Sequence, residues 1–170
     1  MPSTPSMPSM PSTPPMSFHF EPMRWDDARA VSRWRYDGLY AMYNQNALPM
    51  LTLALFRAPL RGLGLEAFIV RNDSGERVGI FTFIQRDTAV EIGLAMRPDL
   101  TGQGLGLAFV EAGLDFARAR YAPTRFTLDV ATFNERARRV YERAGFKPGE
   151  TFTRRTSTGP CEFLAMYRSA

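Results

Sequence analysis

The sequence predicts an α/β domain, a mixed and mostly antiparallel sheet of six to seven strands flanked by about four helices. Three observations carry this: two closely spaced turns join three extended runs at mid-chain, amphipathic helical stripes follow, and an extended hairpin pattern closes the chain. With 170 residues, 45% of them apolar, there is enough chain for one domain with a real core.

The first sixteen residues stand apart as a Pro/Ser/Thr/Met tract without charge or apolar run. Such a composition cannot offset its ordering entropy, so 1–16 is expected to be a disordered tail and 17–170 the folded domain. The tract lacks the basic and apolar regions of a signal peptide. Initiation at Met16, or a dispensable extension, is the expectation, and the intact mass of the native protein checks it.

Phe18, Phe20 and Pro22 alternate with His19 and Glu21 as a short first strand. A helix is expected over 25–43, with Asp26 and Asp27 in its first turn. A weaker helical piece is expected over 48–56, interrupted by Pro49. Strands follow at 66–71, 77–85 and 89–96, separated by the Asn72-Asp73-Ser74-Gly75 turn and by Arg86-Asp87. A loop over 98–104 leads into a helix over 105–121, which Pro123 ends. A β-rich run at 126–130 precedes a helix over 134–144 with Gly145 at its C-terminal stop. Strands at 146–155 and 161–167 close the chain, and their exposed hairpin permits a homodimer.

Composition excludes several function classes. One cysteine, Cys161, rules out an internal disulfide and a cysteine zinc cluster, and no metal constellation exists. The single cysteine makes a reducing, cytoplasmic setting the default expectation, and no stretch reaches a membrane span, so no membrane partner is expected. The net charge of +4 is carried almost entirely by arginine. Those arginines are scattered without aromatic interleaving, which argues against a nucleic-acid partner.

The strand at 89–96 runs into Thr101-Gly102-Gln103-Gly104-Leu105-Gly106 and then a helix. Glycines at alternate positions let the backbone approach a ligand, and N–H groups opening a helix form an anion site suited to a pyrophosphate. The Walker loop is absent, because Lys147 follows Phe146, and the dinucleotide fingerprint fails at Leu107 and Phe109. One strand later, Asn134, Ala137, Tyr141, Gly145 and Phe146 mark an amphipathic helix, where Asn134 suits an N-cap and Tyr141 a core position.

Together the two segments resemble the GNAT superfamily of acyl-CoA N-acetyltransferases, whose Gln/Arg-x-x-Gly-x-Gly/Ala loop precedes an Asn…Ala…Tyr…Gly-Phe helix. Thr101 departs from the pattern, standing where the family has Gln or Arg. The resemblance implies acetyl-CoA as cosubstrate, held by the backbone of Leu94 and Met96, by the 101–106 loop and by Asn134. It implies acetyl transfer to a primary amine, of a small molecule or a protein, by direct attack in a ternary complex. Glu91 would serve as base, directly or through water, and Tyr141 as the acid for the departing thiolate. Trp34, Tyr36 and Tyr40 would line the acceptor cleft, with packing of helices onto the sheet as their alternative role. His19, the only histidine, suits a structural role. A non-catalytic acyl-CoA-binding sensor or interaction module is the alternative, distinguished by binding without turnover.

Overall fold

The computed structural model of the chain describes residues 16–44, 64–156 and 158–170. The expectations for the tail over 1–15 and for a helix over 48–56 lie outside the described residues. In chain order the strands are β1 (His19–Pro22), β2 (Leu65–Arg71), β3 (Arg77–Arg86), β4 (Ala89–Met96), β5 (Arg125–Ala131), β6 (Lys147–Thr156) and β7 (Gly159–Ser169). The helices are α1 (Trp25–Val31), α2 (Gly106–Tyr121) and α3 (Glu135–Arg143), with 3₁₀ turns at Gly38–Met42 and Pro98–Leu100.

The seven strands form one sheet in the order β1-β2-β3-β4-β5-β7-β6. Every neighbouring pair is antiparallel except β4 and β5, which are parallel. The meander β2-β3-β4 follows the two tight turns, and Asn72 accepts from the Ser74 hydroxyl and the Glu76 N–H to shape the first of them.

One face of the sheet carries the main core. Phe81 and Phe83 of β3, Val90 and Ile92 of β4, and Phe126, Leu128 and Val130 of β5 pack there with Phe109, Val110, Leu114 and Ala117 of α2. Helix α2 sits close because Gly113 faces Phe81, whose ring carbon would lie 2.2 Å from a Cβ added there. The opposite face carries a smaller cluster, in which Ala28 and Val31 of α1 cover Ile69 and Ile80.

Three α-helices occur among the described residues, one fewer than the expected count of about four. The helix expected over 25–43 ends at Val31 instead. Beyond it, the Arg35 guanidinium donates to the carbonyls of Ser32 and Trp34 at 2.7 and 2.8 Å, occupying acceptors that a continuing helix would use. Gly38 then takes φ +60°, which diverts the chain into the 3₁₀ turn. Asn44 clamps the segment: its side chain accepts from the Tyr36 N–H at 2.7 Å and donates to the Tyr36 carbonyl at 2.9 Å. Helix α1 is anchored by Asp27, buried at 2% exposure, which accepts from Arg77 at 2.7 Å and Arg71 at 2.9 Å. Burial alone would raise the Asp27 carboxyl; the Arg77 and Arg24 hydrogen bonds and the Arg71 charge outweigh it and hold the carboxyl low.

Candidate active site

Strands β4 and β5 pair only at Ala89–Arg125, Val90–Phe126 and Glu91–Thr127, whereas β4 pairs with β3 as far as Met96. Past Glu91 the two parallel strands therefore separate, leaving one edge of β4 unpaired with β5. A cleft of about 890 Å³ opens at this gap, with Leu94 and Met96 on one wall and Leu128 and Val130 on the other. Unpaired backbone N–H and C=O groups facing a cleft need partners, and an extended amide-bearing ligand supplies them as another strand would.

The glycine loop closes one end. Its turn is tied from inside: the Thr101 hydroxyl donates to the Pro98 carbonyl and the Gln103 amide to the Asp99 carbonyl, both at 2.7 Å. Gly102 and Gly104 adopt φ +81° and +79°, a conformation that side chains strain to reach. No neighbour lies within 4 Å of a Cβ added at either, so the glycines serve the backbone path and not close packing. Gly106 differs, because a Cβ there would lie 3.1 Å from Val140 of α3. Leu105, at the N-cap of α2, supplies no side-chain cap to that helix. The first N–H groups of this sixteen-residue helix are consequently available to an anion. Thr101, Gly102, Gly104 and Gly106 all line the cleft, while Gln103 and Leu105 do not.

Tyr141 and Glu91 both border the same space. Tyr141 is 9% exposed, and its hydroxyl has no hydrogen-bond partner among the described residues. Burial, and secondarily the nearby Tyr43 phenol, raises its pKa above the ordinary tyrosine value. Glu91 pairs with Ile84 across β3 and β4 and receives the Arg86 guanidinium at 3.0 Å. Asn134 caps α3 by accepting from the Ala137 N–H at 3.2 Å, and it donates its amide to the Tyr43 hydroxyl at 3.1 Å. Both ends of the Asn134 side chain are thus engaged within the chain.

The aromatic wall stands opposite. Tyr36 donates its hydroxyl to the Met96 carbonyl at 2.7 Å, occupying that β4 acceptor. Burial pushes the Tyr36 phenol up to about 12, against the opposing charge of Arg136. Tyr40 lies under the Arg136 guanidinium at 4.7 Å and edges onto Phe133 at 6.0 Å. Trp34 borders the cleft while packing against the smaller core.

Sequence reading missed Arg136, Asp129 and Arg154 in this cleft. Arg136 lies two residues past Asn134, a sequence signal for its nearness to the site. Nothing local signals Asp129 and Arg154, which meet at 2.6 Å only through the pairing of β5, β7 and β6. Among the described residues no cluster of His, Cys, Asp or Glu could hold a metal, and no helix is long and apolar enough to cross a membrane.

The profile of the acetyltransferase (GNAT) family matches residues 25–146. Among solved structures, a spermidine N-acetyltransferase SpeG chimera from Vibrio cholerae and hSSAT is similar at TM-score 0.68 and 18% identity, covering 89% of this chain and 95% of that one. The spermidine N-acetyltransferase from Vibrio cholerae, solved with CoA and spermine, gives TM-score 0.69 and 15% identity over the same shares. A dodecameric form of the Vibrio cholerae enzyme gives 0.68 and 16%, covering 89% and 93%. At these identities the likeness is one of fold. No curated protein matches the sequence.

Proposed function

We propose, from the premise that this chain belongs to the acetyltransferase (GNAT) family, that it moves the acetyl group of acetyl-CoA to a primary amine held against the aromatic wall. The observation that carries the reading is the separation of β4 from β5 directly beside the uncapped N-terminus of α2. An extended arm ending in a pyrophosphate fits that pair of features, the arm along the free edge of β4 and the phosphates at the 102–106 backbone.

Leu94 supplies main-chain partners for the arm. Met96 does so through whichever backbone group Tyr36 leaves free. Thr101 and Gln103 act indirectly, by closing the turn that presents Gly102, Gly104, Leu105 and Gly106. Asn134 is a positioning residue: it caps α3 and fixes Tyr43 at the cleft.

An amine must lose its proton to attack a thioester. Glu91, oriented by Arg86, takes that proton directly or through a water as the new N–C bond forms. The C–S bond then breaks and its electron pair passes to sulfur. Tyr141 is the group that meets this charge. Its raised pKa keeps the phenol protonated through neutral pH, and complete transfer to a thiolate of ordinary pKa ~8.5 runs uphill. Tyr141 therefore acts chiefly by donating a hydrogen bond as charge builds on sulfur.

Release of free thiol from acetyl-CoA in the presence of a panel of primary amines tests the proposal. Amine-dependent release with formation of the acetylated amine is the expected result. Tight acetyl-CoA binding without release on any amine would leave an acyl-CoA-binding module instead.

A further inference from the structure

The charge of the cleft bears on which amine it accepts. Two acids line it, Glu91 and Asp129, and each is already neutralised, by Arg86 at 3.0 Å and by Arg154 at 2.6 Å. Four arginines line it: Arg136, Arg143, Arg154 and Arg155. Of these only Arg154 has a carboxylate partner among the described residues. The segments 1–15 and 45–63 contain no Asp or Glu, so neither adds an acid from this chain.

A cleft of this sign repels a polycation and attracts an anion. Position separates two of the three free arginines, Arg143 and Arg136. Arg143 stands one helical turn beyond Val140, the residue that faces Gly106, and so lies toward the glycine loop. Arg136 lies at the other end of α3. It stacks on Tyr40 at 4.7 Å, and its charge reaches Tyr36. The stacking fixes the guanidinium plane and leaves its N–H fork without a carboxylate.

We infer that the acceptor is a small primary amine that also bears a carboxylate, and that Arg136 binds that carboxylate on the aromatic wall. The inference rests on the acetyltransferase reading above and adds the substrate class. A bidentate arginine–carboxylate pair is short, directional and stronger than a neutral hydrogen bond. Tyr40, Tyr43 and Phe163 along the cleft suit an apolar body between amine and carboxylate.

The test compares L-phenylalanine with L-phenylalaninamide, alike in shape but differing in the carboxylate, and with spermidine. Steady-state kinetics are run on the wild type and on Arg136→Gln. In parallel, N-acetyl-L-phenylalanine and its amide are titrated calorimetrically into the CoA-saturated protein, a readout that needs no turnover. The expected result is a preference of at least tenfold for the free acid in both assays. That preference should fall to about twofold or less in Arg136→Gln, with the KM for acetyl-CoA unchanged. Equal or better use of the amide or spermidine by the wild type overturns the inference while leaving the acetyltransferase reading intact. A raised KM for acetyl-CoA in Arg136→Gln, with the acid preference kept, also overturns it by assigning the arginine to the cosubstrate. Selective binding of the acetylated acid with no turnover on any amine supports the carboxylate site and sinks the reaction. Failure of N-acetyl-L-phenylalanine to bind, or its binding no more tightly than the amide, counts against the site.

Discussion

The two walls of the cleft are built by different means. The β4–loop–α2 wall works through backbone: an unpaired strand edge, two glycines at positive φ, and a helix N-terminus with no side-chain cap. The opposite wall works through side chains brought from separate elements. Tyr36 reaches Met96 sixty residues away, Tyr43 meets Asn134 ninety-one residues away, and Arg136 lies over Tyr40. A backbone site is sensitive where glycine holds a positive φ and indifferent to most other side chains. A side-chain wall can change its ligand by single replacements while the fold persists.

Substitutions on the two walls should therefore behave differently. The largest effect is expected from Tyr141→Phe, which keeps the buried ring and removes the one donor proposed for sulfur. Its kcat should fall by about 10²–10³ with the thermal midpoint little changed; a loss under twofold would show that the phenol has no part in the chemistry. Next comes Gly113→Ala, behind the backbone wall where α2 meets the sheet. The added carbon would lie 2.2 Å from Phe81, so α2 must lift from the sheet at a cost of about 1–3 kcal/mol. Denaturant unfolding measures that cost, and an unchanged midpoint would mean that the helix has room to spare.

The anchor of α1 has a pH signature. The folded-state pKa of Asp27 is depressed below its ordinary 3.8, so its contribution is complete above that pH and is lost as the pH falls through the lower folded value. Wild-type stability should drop more steeply below pH 3.8 than that of Asp27→Asn. Parallel curves would dismiss the ion cluster as a pH-sensitive anchor. Tyr36→Phe should do least: it frees the Met96 carbonyl at a cost of about 1 kcal/mol and shifts the amine KM more than the acetyl-CoA KM. Equal shifts in both would blur the distinction between the walls.

What the sequence made legible follows the same division. A positive φ leaves a glycine behind it and a helix start leaves an Asn, so the 101–106 loop and α3 stand out in the letters. The separation of β4 from β5 has no such mark, because a parallel pairing of three residues looks locally like a longer one. The end of α1 was hidden for a different reason. Trp34, Tyr36 and Tyr40 have apolar faces at spacings a helix would accept, while the device that ends it is a long arginine side chain turned onto carbonyls. Pairing that depends on β5, β7 and β6 lining up, such as Arg154 with Asp129, cannot be read from either segment alone.

In the proposed reaction the β4 edge and the glycine loop hold acetyl-CoA by their backbone. Calorimetric titration of the wild type and of Gly104→Glu with acetyl-CoA and with free CoA tests it most directly. The variant forces a side chain onto φ +79° and sets a carboxylate where the phosphates would lie. Micromolar binding by the wild type is expected, with a loss of at least about 100-fold in a folded Gly104→Glu protein. Equal affinity in both proteins, or no binding by the folded wild type, would contradict it.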